Sequence, residues 1–158
     1  MNGTFSLQLS NAQSLPCILK AESGATTLYT YATGYGRINI TPLSDLVLAA
    51  AGNDTPANLF ATFDSTLAGT ISANLTSAKT YVRNQMVQLD FNPVSIDPLT
   101  GTFVVGDSHD VILDQIQVAL STYSKTLDDL RTKATTGGAI NTVLPPGDIT
   151  ITEVASGF

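Results

Sequence analysis

Between residues 65 and 89 the apolar positions Leu67, Ile71, Leu75, Ala78, Val82, Met86 and Leu89 recur at spacings of four and three. That is one face of an amphipathic helix, and it predicts a long helix over 65–89. A second stripe, Ile112, Ile116, Ala119, Tyr123, Leu127, Leu130 and Ala134, predicts another long helix over 109–134, stopped by Gly137-Gly138. The first forty residues keep a different period. Phe5, Leu7 and Leu9 alternate with Ser6, Gln8 and Ser10, as a half-buried strand does. Residues 11–14 read as a polar turn and 15–21 as a second strand. After the turn signal Glu22-Ser23-Gly24-Ala25, residues 27–33 read as a third, aromatic and β-branched strand. Gly34-Tyr35-Gly36 breaks the chain again before Arg37-Ile38-Asn39-Ile40, a candidate fourth strand. Such short connections imply an antiparallel meander.

Thr41-Pro42 changes the regime, because Pro at a first helical position behind a Thr able to cap is a helix start. Residues 43–51 then form a short helix ended by Gly52-Asn53. Thr55-Pro56 repeats the device and opens a helix through about Phe63. Asn92-Pro93 and Asp97-Pro98 force an irregular stretch. Residues 102–105 read as a short strand or an extended plug. Beyond Pro145-Pro146-Gly147, the alternation Ile149-Thr150-Ile151-Thr152 reads as a last strand able to join the N-terminal sheet. The fold class expected is α+β: a small antiparallel sheet of three or four strands packed on an antiparallel cluster of helices that includes the two long ones. Residues 1–158 form one domain, with a β-meander over 1–41, a helical part over 42–136 and a tail over 137–158.

Composition narrows the function classes. Charged residues are 13% of the chain, about half the usual share, and Thr with Ser fills about a fifth. Low charge with abundant Thr, Ser, Asn and Gly points towards exported proteins. The apolar fraction of 43% supports a packed core. The formal charge is −6, and the seven basic residues are scattered singly. Without a basic cluster, neither nucleic acid nor an anionic membrane surface is an expected partner. No apolar run approaches the length of a membrane span, so this segment is not expected to insert, and a monomer is expected. The start, Met1-Asn2-Gly3-Thr4-Phe5, carries no signal peptide and reads as the inside of a strand, as if a leader or an upstream part had been removed. Cys17, the one cysteine, lies in an apolar run and reads as a small buried hydrophobe rather than a reactive thiol.

The search for chemistry begins at His109, the one near-neutral base, in Asp107-Ser108-His109-Asp110. Successive helical residues point about 100° apart, so Ser108, His109 and Asp110 cannot form a nucleophile–base–orienter chain. Asp107 or Ser108 as a helix cap, with Asp110 complementing the dipole, fits better. Asp107, Asp110 and Asp114 lack the spacing of a calcium loop, and these acids, like Asp128 and Asp129, read as a solvated helix face. Asp45 and Asp90 are the two acids in apolar surroundings. Both read as caps or surface residues, with a distant-carboxylate hydrolase as the competing reading. Gly34-Tyr35-Gly36 continues into no dinucleotide fingerprint, and no phosphate-loop lysine follows. Tyr29 and Tyr31 share a strand face, which offers a stacking platform for a sugar if it is not simply core. The sequons at Asn2, Asn39, Asn53 and Asn74 matter only in a eukaryotic secretory host. No cofactor and no metal are expected.

The segment Arg37-Ile38-Asn39-Ile40-Thr41-Pro42-Leu43-Ser44-Asp45-Leu46 resembles an "NITPLT" signature. That signature belongs to exported β-proteobacterial (Burkholderia-like) hypothetical lipoproteins and carboxypeptidase-regulatory-like, Ig-like domain proteins. Asn2-Gly3-Thr4-Phe5-Ser6-Leu7, Pro16-Cys17-Ile18-Leu19 and Leu28-Tyr29-Thr30-Tyr31-Ala32-Thr33-Gly34 resemble their strands, and Asp110-Val111-Ile112-Leu113-Asp114-Gln115-Ile116 their "D-x-lLD-x-l" helix. The order is the same over about residues 2–120. The resemblance implies a module that often follows an Ig-like domain, a secreted, periplasmic or outer-membrane-associated location, and a surface seen by a host. It implies no catalytic residues. Its signature residues Asn39, Thr41, Pro42, Leu43, Asp110 and Asp114 have structural readings: Asn39 and Thr41 as turn and cap, Pro42 setting φ, Leu43 and Leu46 entering the core.

The function expected is therefore a non-enzymatic exported or cell-envelope structural or interaction module, antigenic, with an unidentified protein partner or host factor. A small-ligand or carbohydrate-binding domain using Tyr29 and Tyr31 is the alternative, and a hydrolase the remoter one.

Overall fold

The computed structural model describes residues 4–91, 97–102 and 104–146. The fold class is α+β. Strand β1 (Cys17–Ser23) pairs antiparallel with β2 (Thr26–Ala32) across a two-residue turn. Gly24 holds φ +57 at the turn's first central position, where the twist of a tight hairpin favours glycine. Among the described residues the sheet has these two strands and not the three or four expected. Residues 4–10 alternate as a strand would, but they meet no partner edge and carry no ladder. At residues 37–40 the backbone also leaves the sheet: the Asn39 N–H donates to the Leu99 carbonyl at 2.7 Å. No strand forms at 102 or 104–105 either. The proposed strand over 149–152 lies outside the described residues.

Among the described residues five helices follow, α1 (Pro42–Gly52), α2 (Pro56–Ala61), α3 (Ser65–Gln88), α4 (Ser108–Thr122) and α5 (Leu127–Thr135), then a 3₁₀ turn at Ile140–Thr142. Helix α1 is the hub. Leu46, Val47, Leu48, Ala49 and Ala51 are fully buried, so the helix is covered on every side, by β2, α2, α3 and α5. An all-round apolar helix has no stable place except a core. Each of its leucines contributes roughly 1.5–3 kcal/mol by leaving water. Around it close Ile71, Ala78, Val82 and Met86 of α3, Ile112 and Ile116 of α4, and Leu130 and Ala134 of α5.

The helix ends follow their local chemistry. Thr41 and Ser44 form a reciprocal capping box: the Ser44 N–H donates to Thr41 Oγ1 at 3.3 Å and the Thr41 N–H to Ser44 Oγ at 2.9 Å, with Pro42 at the first helical position. Asp64 caps α3 through the Leu67 N–H, at 2.7 Å. At its far end Asp90 turns left-handed (φ +61) while the Phe91 N–H closes onto the Met86 carbonyl at 3.0 Å.

The expected helix over 109–134 is two helices. After α4 the Lys125 N–H reaches back to the Leu120 carbonyl at 2.8 Å, with Ser124 at φ +51. The Thr126 N–H then donates to the Asp129 carboxylate at 2.8 Å, starting α5 anew. The break turns α5 onto α1, which a straight helix would not reach.

Candidate functional site

The charged centre of the fold is Asp45, fully buried on α1. Its carboxylate accepts the Tyr29 N–H at 2.9 Å and a two-pronged grip from Arg131 of α5: Nε to Oδ1 and Nη2 to Oδ2, both at 2.7 Å. Arg131 also donates to the Thr27 carbonyl and to Asp128, each at 2.7 Å. Planar guanidinium matched to carboxylate is the strongest form of this contact. Burial pushes the Asp45 carboxyl above the usual carboxylate range, against the pull of Arg131 and the Tyr29 N–H. Burial works the other way on the guanidinium, but its carboxylate partners outweigh it and push that group up. Asp45 is thus neither the cap nor the surface residue expected from the sequence. It clamps α1, α5 and β2 together, and it closes the outward edge of β2 by taking the Tyr29 N–H.

Asp107 is the cap of α4, as the sequence suggests. Its Oδ1 accepts the His109 and Asp110 N–H groups at 2.9 and 3.1 Å, and its Oδ2 accepts the Val104 N–H at 2.7 Å. Slight burial pushes its carboxyl up, but these N–H groups outweigh it and hold the carboxyl below its ordinary value. Asp110 turns back to accept the Gly106 N–H at 2.7 Å. Ser108 opens α4, and the backbone N–H groups of His109 and Asp110 are both taken by the Asp107 carboxylate. His109 is buried, and burial pushes its imidazole towards the neutral form against the attraction of Asp107 and Asp110. Asp114 shares the face of Asp110; burial and that neighbour both push its carboxyl up. Among the described residues no group of three or more His, Cys, Asp or Glu is placed to hold a metal.

Tyr29 and Tyr31 form no ligand platform. Both rings point from β2 onto the helices and are buried, Tyr31 completely. Tyr29 tilts against Phe60, and the Tyr31 hydroxyl donates to the Ala68 carbonyl at 2.9 Å beside Ser72. The face they share is the face the sheet must bury.

The "NITPLT" stretch is a junction. Asn39 is not a turn residue: it is buried and donates from Nδ2 to the Gly101 carbonyl at 2.8 Å, tying the 97–101 turn to the strand-to-helix passage. The Lys79 ammonium pairs with Asp97 on that turn. Thr41 caps, Pro42 starts the helix, and Leu43 and Leu46 enter the core.

What sequence reasoning missed is the hairpin's other side. The face away from the helices presents Cys17, Leu19, Ala21 and Ala32, and beside it lie Phe5, Leu7 and Leu9 on one flank and residues 34–41 on the other. They enclose an open hollow of about 710 Å³ whose lining mixes apolar side chains with Thr4, Ser6, Arg37, Asn39 and Thr41. Among the described residues its lining holds Arg37 but no carboxylate and no histidine. Phe5 (55%), Leu7 (60%) and Tyr35 (89%) stay exposed around it. Cys17 is half-buried here, and burial pushes its thiol up. The alternation of Phe5, Leu7 and Leu9 signalled an apolar face; the structure leaves Phe5 and Leu7 exposed and Leu9 half-buried, while Thr30 and Ala32 on the sheet face beside them are buried.

The chain matches no family model, no curated protein sequence and no solved structure.

Proposed function

We propose that this chain is a non-enzymatic interaction module of an exported or cell-envelope protein, contacting its partner through the open side of the hairpin. The observation that carries the reading is the open hollow beside a two-stranded sheet, with Phe5, Leu7 and Tyr35 exposed around it, while Asp45, Asp107 and Asp110 are engaged in holding the fold. Asp45 is tied up by Arg131, Asp107 and Asp110 cap α4, and among the described residues neither a histidine nor a carboxylate lines the hollow. An exposed apolar patch rimmed by polar residues is the usual mark of an interaction surface. The low-charge, Thr- and Ser-rich composition and the resemblance of residues 37–46 support export, and no described helix is long and apolar enough to cross a membrane. A sugar-binding role has lost its platform, because Tyr29 and Tyr31 are core residues.

The test combines fractionation with site-specific photo-crosslinking in the native host. The full native protein is expected in envelope or secreted fractions, with adducts from a crosslinker at Leu7 and none from one at Thr76 on the exposed face of α3. Purely cytosolic protein, or equal labelling from both positions, contradicts the reading.

A further inference from the structure

We propose that the outer edge of β1 pairs antiparallel with the same edge of a second copy of this chain, about a two-fold axis through Ala21. The proposal rests on the interaction reading above and gives it a partner. It replaces the monomer expected from the sequence.

The hairpin register decides which backbone groups face outward. Ser23 and Thr26 flank a two-residue turn and are hydrogen-bonded to each other, so Ala21 with Leu28 and Leu19 with Thr30 bond in the same way. Tyr29 and Thr27 then point away from β1, and there the Tyr29 N–H meets Asp45 and the Thr27 carbonyl meets Arg131. By the same alternation the outward groups of β1 belong to Ile18, Lys20 and Glu22. Among the described residues none of these N–H or carbonyl groups has a hydrogen-bond partner. One edge of the sheet is closed by side chains; the other, among the described residues, is an open template for a strand.

A second copy fits that template because its charges are self-complementary. Two-fold pairing must set outward groups opposite outward groups. An axis through Lys20 would place Lys20 opposite its own copy, and like charges directly opposite are destabilising. An axis through Ala21 sets Lys20 opposite Glu22 of the second copy and Glu22 opposite its Lys20. Alanine then faces alanine at the close approach of a non-hydrogen-bonded pair, about 4.5 Å between Cα atoms. Both charges are accessible: Lys20 and Glu22 pair within the strand at 3.1 Å with side chains 34% and 61% exposed. The result is a four-stranded sheet with β1 strands at its centre, and the open hollows of both copies on one face. Such a contact is isologous. Its shortness places it in the weak, reversible class.

Sedimentation of the full chain from micromolar to millimolar concentration tests this. The mass is expected to rise reversibly to that of a dimer. Lys20→Pro removes an outward N–H without touching the β1–β2 ladder, and should leave a folded monomer. Lys20→Glu and Glu22→Lys, each alone, put like charges opposite each other twice and should weaken self-association roughly tenfold. An equimolar mixture of the two should associate again, because each copy then carries one sign of charge along its edge. These charge variants leave the fold intact even if the proline variant does not fold. A mass that never rises overturns self-pairing, while the crosslinking above separately decides the interaction reading. A dimer indifferent to Lys20→Pro, or single-charge variants that associate as well alone as mixed, also overturns it.

Discussion

Replacing Arg131 by methionine tests how the hub helix is held. Arg131 makes four short hydrogen bonds: two to Asp45, one to the Thr27 carbonyl and one to Asp128. The Asp128 contact is exposed, its carboxylate 80% accessible, and contributes little. The Asp45 contact is different, because Asp45 has no access to solvent at all. A methionine side chain would fill much of the same space but leave a buried carboxylate with the Tyr29 N–H as its remaining donor. Removing one partner of a buried pair costs about 3–5 kcal/mol. For a chain of this size that corresponds to a melting temperature lower by roughly 6–20 °C. Urea unfolding followed by circular dichroism at pH 7 measures it. The variant has a second signature. Without the guanidinium the Asp45 carboxyl rises further, and a group whose folded pKa lies above its unfolded value loses its stabilising contribution as pH rises through the folded value. The gap between wild type and variant should therefore narrow as pH falls below the ordinary carboxylate range, where Asp45 is protonated in wild type and variant alike. Adding Asp45→Asn to Arg131→Met should cost less than the two single changes summed, with a coupling on the order of 1–3 kcal/mol. A loss below about 1 kcal/mol for Arg131→Met, with no pH dependence of the gap, would refute the clamp.

Gly52→Ala should destabilise by about 1–3 kcal/mol despite alanine's better helix propensity, because a Cβ there meets the buried Leu59 side chain at 2.5 Å; thermal melting decides it. Asp107→Ala removes the cap of α4 and should cost about 1 kcal/mol at pH 7 in urea titrations. Because that carboxyl is held below its ordinary value, the difference from wild type is present above about pH 4 and vanishes as pH falls through the folded value. His109 is held neutral by burial, so the unfolded chain takes up its proton first. Stability should fall as pH drops below about 6.5, the loss growing until the folded value is reached; His109→Gln should flatten that slope, and an imidazole NMR midpoint above 6.5 would contradict it.

The parts of the fold legible in the sequence were those fixed by short-range chemistry. Thr41-Pro42 and Thr55-Pro56 start helices where they stand, the stripe from Leu67 to Leu89 marks α3, and the strands on either side of Gly24-Ala25 form the hairpin. Where periodicity misled, a local signal outweighed it. The apolar positions run on through Tyr123 and Leu127, yet Thr126 with Asp129 forms a capping box that restarts the helix, and that four-residue pattern was readable. Residues 5–9 alternate correctly, but a strand exists only with an edge to pair with, and pairing is not a local property. The Asp45–Arg131 clamp joins residues 86 apart, so no spacing announces it. The same holds for Asn39 and Gly101. The open edge of β1 was invisible for the converse reason: it depends on which other segments pair with it, and among the described residues only β2 does.

Amide hydrogen exchange along β1 tests the central claim, an open hairpin side available for contact, most directly. In dilute solution Leu19, Ala21 and Ser23, bonded to β2, should exchange slowly, while Ile18, Lys20 and Glu22 exchange orders of magnitude faster. At millimolar concentration Lys20 and Glu22 should become protected as the sedimenting mass rises. Uniform protection of all six amides at the lowest concentration would show that the edge is already covered within a single chain, and would contradict the claim.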